Sequence, residues 1–279
     1  MPAIALALGS SLVYGVSDFL GGLKSRSLPL LSVLLVSQGS ALVALTVAVA
    51  VSGTEAPEGE FLLYAAIAGL AEAVGIAAFY HGLAVGVISI VSPIAATAPV
   101  VPVVAAILLG ELPGTIQVVG IVLAVAGVGI ISLESERRES AGDLTPSILF
   151  GVLTALGFGG FLVAMDAASE GGVLWALFVA RLASVTAFVS AFLIRRAPLG
   201  VRPAEVPVLV LIGFLIITAD SLYATATTEG LLSVVVVLSS LYPVVTIALA
   251  RFYLKERLRR PQQLGVAAAL AGAVLISAA

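Results

Sequence analysis

Three charged side chains stand deep inside apolar sequence, with no charged neighbour along the chain: Glu72, Arg181 and Asp220. An ionised group at mid-bilayer depth costs at least about 2.5–3.5 kcal/mol on insertion scales, so each needs a partner or a wet cavity. Two chemistries fit. Arg181 forms a structural ion pair with Glu72 or Asp220, or the three make a substrate site. In the second case the planar guanidinium fork holds a carboxylate, while an acid holds an ammonium group or a coupling proton. Two acids against one base leave a carboxylate over, and an acid in a low-dielectric site is a candidate proton carrier.

Other residues qualify as lining. Tyr14, Tyr223 (one turn from Asp220) and Tyr242 are candidate aromatic or hydroxyl contacts for an organic ligand, although aromatics more often face a neighbouring helix. Asp18 follows Tyr14 by one turn, and His81 follows Tyr80. Both stand near the cytoplasmic ends of their segments, a depth that suits a gate or proton access; a satisfied interfacial histidine is the ordinary alternative for His81. Pro93, Pro99, Pro102 and Pro243 each remove a backbone donor inside an apolar segment, which implies helix breaks of the kind that line transport cavities or plain fixed bends. The chain has no cysteine and one histidine, which removes thiolate catalysis, disulfides and the usual zinc sites. It has no His-Glu-x-x-His motif, P-loop or aspartate cluster for magnesium diphosphate. No metal, no cofactor and no enzymatic activity are therefore expected.

The elements that position these residues follow from composition. Of 279 residues 61% are hydrophobic and only 10% charged, with a mean hydropathy of +1.21. Soluble domains carry about 25% charged residues, so this is an all-α membrane protein. Cutting at charged or Gly/Pro-rich breaks gives ten segments, at 3–23, 29–51, 61–83, 87–109, 114–133, 146–167, 173–194, 206–228, 231–254 and 262–278. The start lacks the basic region of a signal peptide and reads as a retained first helix. No run of like charge is long enough to track nucleic acid.

The longest break, a charged linker over 134–144, separates two halves, 1–133 and 145–279, that repeat one another. Gln117, Gly120, Ala124, Ala126 and Gly127 recur as Gln262, Gly265, Ala269, Ala271 and Gly272, and Glu111 recurs as Glu256. One residue less pairs Gly15 with Gly159, Gly86 with Gly230, Ser89 with Ser233 and Pro99 with Pro243. Five helices per half is odd, so the halves are inverted in the membrane, a transporter's plan. Twelve basic residues fall on the side of the first loop and none on the other, which places both termini outside the cytoplasmic (inner) membrane. The stripes Gly120/Ala124/Gly127 and Gly265/Ala269/Gly272 suit close packing within one chain or a dimer face, so monomer and homodimer both remain open.

These residues resemble the drug/metabolite transporter superfamily, in the branch built from two EamA-type five-helix repeats, over essentially the whole length. The resemblance rests on Tyr14-Gly15 and Phe158-Gly159, on Ala180-Arg181-Leu182, on the segment ends at Leu109-Gly110-Glu111 and Leu254-Lys255-Glu256, and on the small-residue closing helices. It implies a central cavity lined by helices one to four and six to nine, with five and ten peripheral. It also implies transport, often export, of amino acids, other metabolites or lipophilic drugs without ATP. The first-repeat counterpart of Arg181 is Gln38, so the cavity is charge-asymmetric, with Gln38 a further lining residue. The expectation is a secondary transporter exporting small organic metabolites such as amino acids by alternating access, with proton coupling open. A passive facilitator or channel is the runner-up, followed by a non-transporting lipid-handling or scaffold protein. The expected partners are a small-molecule substrate and the lipid bilayer.

Overall fold

The computed structural model describes residues 2–25, 27–85, 91, 94–135, 144–196, 200–253 and 260–278. Among them there is no strand; the helices are α1 (Pro2–Ser25), α2 (Leu30–Ser52), α3 (Gly59–Val85), α4 (Val100–Leu108), α5 (Thr115–Ser135), α6 (Leu144–Ser169), α7 (Val173–Arg195), α8 (Val206–Glu229), α9 (Leu232–Ser239), α10 (Tyr242–Tyr253) and α11 (Arg260–Ala278). Six of them, α1, α2, α3, α6, α7 and α8, are long and apolar enough to cross a bilayer unaided. The expected fifth and tenth segments appear as the shorter apolar runs Thr115–Ile130 and Gln263–Ile276, and the ninth is divided between α9 and α10. The protein is thus an all-α membrane protein of two inverted five-helix repeats, with two segments interrupted.

The interruptions have a local cause. Pro99 directly precedes α4, Pro102 lies in its first turn, and Pro243 lies in the first turn of α10. Proline is tolerated there because the first-turn amides have no intrahelical partner. The prolines therefore restart helices rather than bend continuous ones. The approach to each restart is tightened by i→i−3 bonds: Thr97 N to Ile94 O at 3.0 Å and Val100 N to Thr97 O at 2.9 Å, repeated as Leu241 N to Leu238 O at 3.3 Å and Val244 N to Leu241 O at 2.9 Å. Each pair is related by the same 144-residue shift. Pro93 lies outside the described residues, as do 136–143 of the charged linker.

Packing follows the same two-fold relation. Helix α3 packs on α6 as α8 packs on α1, α3 on α7 as α8 on α2, and α4 on α6 as α9 and α10 on α1; α2 with α7 and α5 with α11 are the self-related pairs, and α4 also packs on α9. The α5–α11 pair lies at the rim, joined by glycines. A Cβ on Gly120 would lie 2.8 Å from the Gly272 carbonyl oxygen and one on Gly272 2.6 Å from that of Gly120; one on Gly127 would lie 2.6 Å from that of Gly265. As one index rises the other falls, so these two helices run antiparallel. The small-residue stripes are consequently spent inside the chain. Outward faces, such as Val43, Val47 and Val51 on α2 or Val118 and Val122 on α5, are left for lipid.

A branched side chain on the α5–α11 seam has no space. Gly127→Val is expected to destabilise the protein by about 1–3 kcal/mol through overpacking. Gly129→Val, where a Cβ meets nothing within 4 Å among the described residues, should leave it unchanged. Thermal unfolding in detergent distinguishes the two; equal melting temperatures would show that the seam tolerates separation.

Candidate functional site

The three midplane charges meet. Arg181 Nη1 donates to Gln38 Oε1 and, at 3.3 Å, to Glu72 Oε1, while Nη2 donates to Asp220 Oδ2. The second oxygen of Asp220 accepts from the Tyr14 hydroxyl. Five helices, α1, α2, α3, α7 and α8, each give one side chain from near their middle. Arg181 and Asp220 are each only 3% exposed at the side chain, whereas Glu72 keeps 12%. Desolvating two acids and a base is costly, and mutual pairing with hydrogen bonds is what offsets it. The cluster carries one formal negative charge over, because a single guanidinium faces two carboxylates.

Close backbone approach brings these side chains within reach. A Cβ on Gly69, one turn before Glu72, would lie 2.7 Å from the Ala180 carbonyl carbon, so α7 comes up against α3 and Arg181 arrives beside Glu72. The counterpart 144 residues on, Gly213, does the same for α2: its Cβ would lie 3.1 Å from the Ser37 carbonyl carbon, next to Gln38. The Ser10 hydroxyl, one turn from Tyr14, donates to the Ala219 carbonyl at 2.9 Å and ties α1 to α8 beside Asp220.

Two further contacts flank the cluster, and they are copies of one another. A Cβ on Gly15 would lie 2.8 Å from the Tyr242 carbonyl oxygen and 2.7 Å from Val245 Cγ1. One on Gly159 would lie 2.8 Å from the Ala98 carbonyl oxygen and 2.8 Å from Val101 Cγ2. All three residues shift by 144 between copies. Thr246 Oγ1 reinforces the first by donating to Gly15 O at 3.2 Å and to Tyr242 O at 3.1 Å. The inverted repeat puts the two contacts on opposite sides of the midplane.

The family of the chain is read in the same duplication. The EamA-like transporter family matches it twice, over residues 1–133 and 145–278. The chain belongs to the EamA-like transporter family. It is a membrane transporter of the drug/metabolite type. One crystal structure, described simply as that of a protein, covers 99% of this chain and 98% of its own length with a TM-score of 0.83. At 15% identity that likeness speaks for the fold alone. No curated protein shows a significant match to the chain.

The other lining candidates of this EamA-like chain separate. Tyr242 meets Tyr14 edge to face with ring centroids 6.2 Å apart and is partly exposed, so it borders the cluster. Asp18 is exposed one turn beyond Tyr14. Tyr223 is fully buried and donates to the Leu162 carbonyl at 2.9 Å, which directs it to α6 and away from Arg181. His81 is exposed, with its ring edge-on to Phe150 at 4.8 Å. Pro99 and Pro102 are buried at the α4 restart, and Pro243 opens α10.

Glu111 has a role that sequence reading missed. After Gly110, whose φ of +103° favours glycine, its carboxylate accepts from the Leu232 and Ser233 amides at 2.6 and 3.1 Å and from Ser233 Oγ at 2.7 Å. It thus caps α9 from the other repeat, placing negative charge on a helix N-terminus. Its duplication as Glu256 was the available signal.

Removing Arg181 leaves two buried acids facing one another. Arg181→Met is expected to cost about 3–5 kcal/mol, and adding Asp220→Asn and Glu72→Gln should recover most of it. Unfolding of the single and triple variants in detergent provides the check. A triple variant no more stable than the single one would show that charge balance is not what holds these helices.

Proposed function

We propose that this protein is a secondary transporter that moves small organic metabolites, amino acids among them, across the cytoplasmic membrane by alternating access, with the Arg181 cluster as the site the cargo meets. One observation carries the reading: a buried polar cluster at the centre of an inverted repeat lies between two copies of the same glycine contact. Breaking the Gly15 contact opens one side, and breaking the Gly159 contact opens the other. With both formed, the cluster is closed off from both sides. Substrate-lining roles go to Arg181, Glu72, Asp220, Gln38, Tyr14 and Tyr242, while the packing of Tyr223 suits a supporting part. The leftover carboxylate supports proton coupling. Export and an outward placement of both termini rest on the resemblance and on the basic loops.

The test is flux of a labelled amino-acid and metabolite panel in proteoliposomes, with and without a pH gradient. Saturable flux that responds to the gradient and is lost in Glu72→Gln is the expected result. Non-saturable flux indifferent to the gradient would favour a passive pore, and absence of flux for every member would overturn transport of this class. The gates are tested separately, because the chain has no cysteine and every introduced thiol reports alone. Gly15→Ala should raise labelling of a cysteine placed at Val245, and Gly159→Ala should raise it at Val101, each from its own side of the membrane. Equal labelling from both sides would contradict alternation.

A further inference from the structure

We infer that the cargo of this site carries net positive charge and an acceptor oxygen: a small amine bearing a hydroxyl or carbonyl group, or a basic amino acid, rather than an anion. This rests on the transport reading above and narrows it. The guanidinium already has three of its five N–H donors engaged. Nη1 already has two acceptors, in Gln38 and Glu72, and Nη2 has Asp220. An anion would add negative charge to a low-dielectric site that already holds a carboxylate over. What the cluster lacks is positive charge. It holds two carboxylates against one arginine, and among the described residues no other basic side chain stands deep in a helix.

The surroundings favour the same sign. Glu72 is the most exposed of the three charged groups, so the leftover negative charge sits where a ligand reaches it first. Beside it the Tyr14 and Tyr242 rings meet edge to face, and aromatic faces attract ammonium groups. One turn further along α1, on the same face as Tyr14, Asp18 adds an exposed carboxylate. Asp18, the two aromatic rings and Asp220 therefore form one connected series along α1. A second and independent feature asks for the acceptor. Among the described residues Arg181 Nε is buried without a hydrogen-bond partner. An unpaired buried donor calls for an acceptor oxygen on the cargo.

The test compares ligands that share a skeleton and differ in charge. With detergent-purified protein, 6-aminohexanol and lysine as cations, norleucine as zwitterion and hexanoate as anion are compared by the shift in melting temperature at millimolar concentration; tyramine, tyrosine and 4-hydroxyphenylpropionate form an aromatic set. The cations are expected to stabilise and the anions to have no effect. Stabilisation should be lost in Glu72→Gln, retained in Glu72→Asp and unchanged in Glu170→Gln. Asp18→Asn, at an exposed position that does not threaten folding, should weaken cation binding several-fold. Stabilisation by the anions in place of the cations, or by no cation in either set, would overturn the inference. The same compounds assayed for flux separate the two readings. Zwitterion or anion flux without cation flux overturns the charge preference and leaves transport standing, whereas cation binding that depends on Glu72 without any flux supports the preference and removes transport.

Discussion

A guanidinium at the middle of a bilayer constrains everything packed around it. Arg181 stays charged at any physiological pH, so its desolvation has to be met by acceptors. Those acceptors come from both halves of the chain: Gln38 and Glu72 from the first repeat, Asp220 from the second. Tyr14, again from the first, then satisfies the remaining oxygen of Asp220. Neither repeat satisfies the charge alone. The pairing of the halves is thus tied to an electrostatic requirement, in a solvent where apolar faces gain little by leaving lipid for one another.

Close packing supplies the rest, and its character changes with distance from the centre. At the rim, Gly120 and Gly272 approach each other's backbone reciprocally, so a side chain on either would run into main-chain atoms. Beside the cluster, Gly69 and Gly213 admit the backbones of α7 and α2 in the same manner. Gly15 and Gly159 differ, since each meets the first turn of a restarted helix, reached through short i→i−3 turns rather than a continuous α-helical ladder. A helix start has amides without intrahelical partners and can tilt with little loss of hydrogen bonding. The fold therefore combines a fixed rim with two adjustable contacts around one buried charge cluster.

Helix count, inversion and the three midplane charges were legible because each carries a cost or a period visible in one dimension. Glu72, Arg181 and Asp220 are costly in lipid wherever their helices point, so their mutual pairing follows from depth. Tyr223 was not legible in that way. Helix α8 is apolar nearly all round, and with both lipid and protein faces apolar no stripe fixes its rotation. Whether an aromatic on it faces the cluster or α6 is decided only by packing. Glu111 escaped for a different reason: its partners, the first amides of α9, are more than a hundred residues away and have no side-chain signature beyond Ser233. Pro99 and Pro243 stand where α4 and α10 begin, yet proline alone does not say whether a helix bends or restarts.

The departure from symmetry at the centre is itself required by the symmetry. Helices α2 and α7 are related to each other by the two-fold and pack directly together, so corresponding positions on them face one another. Arginine at both would set two guanidinium groups in contact, like charges with Glu72 and Asp220 as their only acids. Glutamine at one of them removes the repulsion and supplies an oxygen that Arg181 Nη1 uses. The same exchange lowers the positive charge of the centre by one, and so turns a balanced set of two acids and two bases into one with a carboxylate over. A single substitution on a self-facing position thereby resolves the packing conflict and sets the sign of the site.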